Sequence, residues 1–218
     1  MSDILAPSLR AERLTHRYGR RTTGVDDLAF VFDGPGAVAV TGPNGSGKST
    51  LLKILAGLIK PSAGHTTLRL GARELGPTER RRAVGLASPE LEFYEEFTAL
   101  ENLRFAGECR RIADPVEAAQ SVLDRVGLGA RTRDRVAAFS SGMKQRLRLA
   151  FALLHQPVVL LLDEPSGHLD DAGRDAVRDV VRHHAGRGLV MLATNDPQEV
   201  QLAERRLELH GRGLGDPS

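Results

Sequence analysis

Nine consecutive residues, Gly42, Pro43, Asn44, Gly45, Ser46, Gly47, Lys48, Ser49 and Thr50, carry the plainest chemistry in the chain. Three glycines let successive backbone N–H groups face one concavity with no Cβ in the way, and a helix starting at the loop adds the positive end of its dipole. The result is a nest for phosphate. Lys48 would reach the β- and γ-phosphates of a nucleotide as a point charge, and the Ser49 hydroxyl would sit on Mg²⁺, the roles that the spacing G-x-x-x-x-G-K-[ST] assigns. The alternative is a flexible glycine turn that happens to carry a lysine. Context argues against it, because the apolar residues 37–40 read as a strand before the loop and residues 51–58 as an amphipathic helix after it.

A second set of candidate groups follows 110 residues later, where Leu160-Leu161-Leu162-Asp163-Glu164 puts two carboxylates at the end of a strand apolar on both faces. In a parallel sheet that end is the ligand-binding edge. Asp163 is placed to hold a Mg²⁺ shell, and Glu164, on the other side of the strand end, to act as general base on an attacking water. Taken alone, the pair would also serve as an acidic helix cap; the glycine loop upstream favours the catalytic reading.

The elements that must position these groups follow from patterning. Residues 9–18 and 25–32 alternate apolar and polar side chains around a turn at 19–24, which predicts an antiparallel β lobe ahead of the loop. Residues 65–70 read as a strand, 73–82 as a charged turn and 84–87 as a short strand. Thr98 with Glu101 makes a capping-box pattern, followed by an apolar stripe of Leu100, Leu103, Phe105 and Ala106. Asp114-Pro115 starts a second helix with Val116, Ala119, Val122, Leu123 and Val126 on one face and Gly127 at its end. Beyond it come a helix at 141–155, strands at 158–162 and 189–193, helices at 171–184 and 197–203, and a last strand at 207–209. The alternation predicts an α/β fold: a P-loop NTPase core with a mostly parallel sheet, an N-terminal antiparallel β lobe and an α-helical insert. One domain of 1–218 is expected, with lobe and core at 1–88 and 156–210, the helical subdomain at about 89–155 and a loose tail at 211–218.

Bulk properties narrow the function. The 30 basic and 28 acidic residues are interleaved, giving a formal charge of +2 and no large single-sign field, so nucleic acid is not an expected partner. A single cysteine, Cys109, excludes an internal disulfide, fits a reducing setting and is expected to be a small buried apolar residue. No N-terminal stretch has the form of a signal peptide, and the longest strongly apolar run, 158–162, is too short to span a bilayer. The chain is expected to be soluble, and any work at a membrane would need another chain.

Between the glycine loop and the Asp-Glu strand lies Phe139-Ser140-Ser141-Gly142-Met143-Lys144-Gln145-Arg146, which resembles the signature motif of ABC-type ATPases. Motif order, spacing and helical insert together make the whole chain resemble an ABC transporter ATP-binding subunit. Where the family usually has Leu-Ser-Gly-Gly-Gln, this chain has Phe139-Ser140-Ser141-Gly142-Met143. The resemblance implies that Ser140, Ser141 and Gly142, with the dipole of their helix, bind the γ-phosphate held by the glycine loop of a second copy. It also implies that Tyr18 stacks on adenine, the alternative being a tyrosine packed on the lobe, and that Gly167-His168-Leu169-Asp170 crosses the dimer interface with His168 as a contact residue.

Two positions depart from the family pattern. A glutamine that touches Mg²⁺ and the attacking water is here Glu90, and the switch histidine is here Asn195. A carboxylate still binds Mg²⁺ but adds negative charge near the γ-phosphate; an amide donates a hydrogen bond but carries no proton or charge. Slower hydrolysis is therefore expected. Residues 90–102, from Glu90 through Phe93, Tyr94 and Phe97 to Asn102, resemble the part that receives the membrane partner, unless the aromatics only pin the insert to the sheet.

The implied function is an ATP-binding, ATP-hydrolysing ABC transporter subunit that closes as an ATP·Mg²⁺ sandwich dimer with a second copy or a homologous ATPase subunit. It would drive an integral membrane permease from the cytoplasmic face, with a looser likeness to haem-exporter or ABC-2-type export systems through residues 101–105. A soluble ABC ATPase outside transport, or a weakly hydrolysing ATP-gated switch, is the alternative. The DNA-repair kind would need a long coiled coil where only about ninety residues lie, and the ribosomal kind two cassettes.

Overall fold

The computed structural model describes residues 6–19 and 22–210; the expected tail at 211–218 and part of the expected turn at 19–24 lie outside them. In chain order the elements are β1 (Pro7–Tyr18), β2 (Thr22–Asp33), β3 (Gly36–Thr41), α1 (Lys48–Leu55), β4 (Ala63–Leu70), β5 (Arg73–Glu74), α2 (Pro77–Ala83), β6 (Val84–Ala87) and α3 (Ala99–Cys109). Then follow α4 (Pro115–Arg125), α5 (Ser141–Leu153), β7 (Val159–Asp163), α6 (Asp171–Ala185), β8 (Leu189–Ala193), α7 (Pro197–Val200) and β9 (Arg205–Glu208).

The strands form two sheets. An antiparallel one, ordered β2-β1-β4-β5, is the predicted lobe, enlarged by β4 and β5. A parallel one, ordered β6-β7-β8-β3-β9, is the predicted core. Because successive side chains of a strand face opposite ways, each core strand feeds two apolar layers. Leu160, Leu162, Val190 and Leu192 pack with α3, α4, α5 and α6. Leu161, Leu189, Met191, Val38 and Val40 pack with α1 and the β lobe. All five residues of β7 are buried, so the strand that ends in Asp163 is fixed from both sides.

Several expectations are corrected. Residues 73–82 are not a turn but β5 and α2. Pro77 starts α2, the Gly76 N–H donates to Glu79 Oε2 at 3.2 Å, and Arg80 reaches back to the Leu55 carbonyl at 2.8 Å and the Thr66 carbonyl at 3.1 Å. That guanidinium satisfies carbonyls left open at the end of α1, a long-range partnership invisible in a charged run. Phe105 and Val116 are about half exposed rather than in the core. In α3 the inward polar residue is Asn102, whose amide donates to the carbonyls of Tyr94 and Thr98 and whose Oδ1 accepts from the Tyr94 N–H. Cys109 is exposed, not buried. Helix α5 stops at Leu153, and His155 beyond it turns its ring onto the Val84 carbonyl at 3.0 Å. The predicted capping box is present: Thr98 Oγ1 accepts from the Glu101 N–H, and Glu101 accepts from the Thr98 N–H.

Candidate active site

The glycine loop leaves the C-terminal end of β3 and closes directly into α1. Two of its glycines are required by close approach. A Cβ on Gly47, at φ +96°, would lie 1.4 Å from the Gly24 carbonyl oxygen, and one on Gly42, at φ +147°, would lie 2.3 Å from that of Leu209. The loop is thereby held between the β lobe and the end of the core sheet.

Inside it the polar groups are arranged for an anion. Ser46 is buried, and its Oγ has no hydrogen-bond partner in the protein. Lys48, also buried, curls over the loop, its Nζ donating to the Gly42 carbonyl at 2.7 Å and the Pro43 carbonyl at 3.2 Å. An unpaired hydroxyl and an ammonium held only by neutral carbonyls suit phosphate oxygens, which bind both more strongly. The residues present therefore fit a nucleotide's phosphates.

Asp163 lies beside this loop. Burial pushes its carboxyl above the usual range; a hydrogen bond from Ser49 and the charge of Lys53 oppose that, while Glu164 and Glu90 reinforce it. The hydroxyl and carboxylate expected to share Mg²⁺ are thus near each other. Mg²⁺ is usually held by one or two protein oxygens completed by phosphates and water, which suits this pair. Among the described residues no group of three or more His, Cys, Asp or Glu side chains forms a metal site by itself.

Glu164 follows at φ +47°, a left-handed conformation that costs free energy outside glycine, and its N–H donates to the Ala193 carbonyl at 2.9 Å. The turn leaves the Glu164 side chain exposed where β7 meets β8. From the next strand, Asn195 reaches the loop, its Nδ2 3.4 Å from Asn44 Oδ1. Tyr18 sits at the far end, 46% exposed, with its hydroxyl 3.3 Å from Thr50 Oγ1 and the His16 ring edge-on to its own at 4.6 Å between centroids. Glu90 is nearby but engaged: its Oε1 lies 2.5 Å from Lys53 Nζ.

Ser140, Ser141 and Gly142 are elsewhere. Ser140 caps α5 by accepting from the Met143 N–H at 3.2 Å, and a Cβ on Gly142 would lie 3.1 Å from the His168 carbonyl. The structure brings the signature against residues 167–170, not against the glycine loop of the same chain. His168 itself takes φ +62°.

Patterning missed the polar residues that tie these parts together. Gln145, buried on α5, donates to the Glu164 and Pro165 carbonyls, both at 3.3 Å, and Arg148 bonds the Leu91 carbonyl at 2.9 Å and Gln145 Oε1 at 3.2 Å. Glu199, buried at the start of α7, accepts from the Ser166 N–H at 2.8 Å. The available signal was a polar residue on the inward side of a helix.

Of the expected socket, Phe93 is internal, edge-on to Phe151 with ring centroids 6.2 Å apart. Tyr94 and Phe97 are exposed, and the Tyr94 ring instead meets Phe97 and Phe105, with centroids 5.5 Å and 6.1 Å away. Among the described residues no helix is long and apolar enough to cross a membrane.

A glycine loop beside a strand-end Asp-Glu pair, with a capped helix on a separate helical layer, is the arrangement of an ABC-type cassette. The chain belongs to the ABC transporter family, whose model matches residues 25–167, and is an ATP-binding ATPase of that family. It is 33% identical over 196 residues to the uncharacterized ABC transporter ATP-binding protein YybJ of Bacillus subtilis (strain 168), covering 88% of this chain and 89% of that one. It is 37% identical over 198 residues to YdbJ, named likewise, of the same strain, but spans only 63% of that relative's length. A lipoprotein-releasing system ATP-binding protein LolD, of Legionella pneumophila (strain Paris), is 34% identical over 227 positions, covering 98% of both chains. In fold, the chain is similar to the ATP-binding cassette MJ0796, solved as a dimer in a post-hydrolysis state bound to ADP and Pi, with a TM-score of 0.83 at 22% identity over 94% of this chain and 97% of that one.

Proposed function

We propose that this chain is the ATP-hydrolysing subunit of an ABC transporter and works as an ATP-sandwich dimer with a second copy or a homologous ATPase subunit. One observation carries the reading: Ser49 lies close enough to the buried Asp163 carboxyl to act on it, with Glu164 next in line, so loop, metal-holding groups and candidate base adjoin one another. In this reading Gly42, Pro43, Asn44, Gly45, Ser46, Gly47, Lys48 and Thr50 hold the phosphates, and Tyr18 stacks on the adenine. Ser49 and Asp163 hold Mg²⁺, which neutralises charge on the β- and γ-phosphate oxygens. Glu164 takes a proton from the attacking water, and Asn195 donates its amide to the γ-phosphate.

The dimer follows from a mismatch. Ser140, Ser141 and Gly142 face residues 167–170 and not their own loop, so a signature can reach a γ-phosphate only on a second chain. The differential affinity of the closed dimer for ATP over ADP then does the mechanical work.

The work is delivered to an integral membrane permease docked on residues 90–102, where Tyr94 and Phe97, extended by Phe105, present an exposed aromatic cluster. The chain would then sit at the cytoplasmic face of the membrane. Similarity to a lipoprotein-releasing LolD and, at 31% identity, to the linearmycin resistance ATP-binding protein LnrL of Bacillus subtilis (strain 168) supports export.

A second reading, an ATP-gated switch that hydrolyses weakly, is favoured by the Lys53–Glu90 pair and by Asn195 in the histidine position. Steady-state hydrolysis by the wild type and Glu164→Gln, with mass followed by light scattering as ATP is added, separates the two. Loss of turnover in the variant by about 10²-fold or more, with an ATP-bound dimer accumulating, supports the enzyme. Dimerisation of both without turnover supports the switch, and no ATP-dependent dimer in either overturns the sandwich.

A further inference from the structure

Lys53 stands one helical turn after Ser49 on α1 and so on the same side of the helix as the Ser49 hydroxyl. Its stem is well covered, while Glu90, apart from its bond to Lys53, is held by its backbone N–H 3.4 Å from Ser88 Oγ and leaves its side chain 71% exposed. The lysine is the fixed partner and the glutamate the movable one. Both line a cleft of about 810 Å³ that also takes in Leu86, Arg110, Ile112 and Phe151, so the pair sits on the wall between this cleft and the nucleotide site. It touches that site electrostatically too, since Lys53, Glu90 and Glu164 all act on the Asp163 carboxyl, the lysine in the opposite sense to the two acids. Exposed ion pairs are weak and readily exchanged, as a releasable contact requires.

We propose that Lys53 is a latch, a positioning residue that holds the Glu90 carboxylate on the cleft wall and out of the metal shell, and that drawing Lys53 off releases Glu90 toward Mg²⁺. This rests on the nucleotide site proposed above. With Lys53 in place, the metal is held by Ser49, Asp163 and the phosphates alone. With the ammonium gone, the arginines that line the same cleft, Arg81, Arg82 and Arg110, compete with the metal for Glu90; the latch requires the metal to win, so that Mg²⁺ is gained at lower concentration. Any acidic group entering the cleft would compete for Lys53 and have the same effect.

The test is equilibrium binding of a fluorescent ATP analogue at graded Mg²⁺ to the wild type, Lys53→Met, Lys53→Arg, Glu90→Gln and the Lys53→Met/Glu90→Gln double variant. The latch requires Lys53→Met to reach half-maximal binding at three-fold or more lower Mg²⁺, Lys53→Arg to match the wild type, and the double variant to lose the shift. An unchanged midpoint in Lys53→Met, or an equal shift with and without Glu90, overturns the latch while leaving the nucleotide site intact. No binding by the wild type at saturating Mg²⁺ overturns the site and the latch together.

Discussion

The Oδ1 of Asn195 accepts a hydrogen bond from the Gly42 N–H at 3.4 Å, joining residues 153 positions apart at the mouth of the phosphate loop. The amide is therefore in the right place to meet a γ-phosphate, but it cannot carry a proton or a charge. Asn195→His should raise turnover severalfold, less than the roughly 10²–10⁴-fold attributed to full acid–base participation. Steady-state phosphate release checks this; a variant no faster than the wild type would place the limiting step elsewhere.

Tyr18 stands partly exposed beside Thr50. If adenine stacks there, Tyr18→Ala loses about 1–3 kcal/mol, or roughly five- to 150-fold in nucleotide affinity, whereas Tyr18→Phe loses only the contact with Thr50 and binds almost as well. Equal losses in the two variants would mean that the hydroxyl, not the ring, matters.

A buried histidine, His184, and a partly buried one, His155, set an acid limit. Burial holds His155 and His184 down to about 4, helped by nearby arginines and opposed by bonds to the Val84 and Val158 carbonyls. Below about pH 6.5 the unfolded chain gains protons there that the folded chain refuses, so stability falls as pH drops from 6.5 toward 4. The loss is on the order of 2 kcal/mol per histidine between pH 7 and pH 5. Urea midpoints at the two pH values should show it, and His184→Gln, though less stable overall, should have a shallower dependence on pH.

Gly85 in β6 faces the end of α5: a Cβ there would lie 2.1 Å from the Ala152 carbonyl oxygen. Gly85→Ala should cost about 1–3 kcal/mol through overpacking, lowering Tm by about 2–4 °C for each, with little change in nucleotide affinity because the crowding lies away from the loop. Thermal melts with and without ATP separate the two effects.

What patterning revealed and what it missed divide by range. The glycine loop was legible because its chemistry lies within nine adjacent residues, and the α3 and α4 starts because Thr98 and Asp114 cap within three positions. Strand β7 was legible because it is apolar on both faces. Helix α2 was not, because it depends on Arg80 reaching carbonyls 14 and 25 positions away. Nor was the engagement of Glu90 by Lys53, 37 positions apart, which depends on how β6 and α1 are set side by side. Phe105 was read as inward because helical spacing marks a stripe but not which part of it a neighbour covers, and Cys109 because a free cysteine is usually buried. The fold class was therefore visible, and the lateral order of its strands was not.

That order has a consequence for synthesis. Strand β3, which presents the phosphate loop, pairs on one side with β8 and on the other with β9. A ribosome therefore releases the loop-bearing strand about 150 residues before either neighbour is made, and a nascent chain shorter than residue 189 can pack that strand on α1 and the β lobe but lacks both of its hydrogen-bonded neighbours. The residues of the glycine loop are therefore translated well before the strands that flank β3, and the sheet closes around the loop only once β8 and β9 have docked.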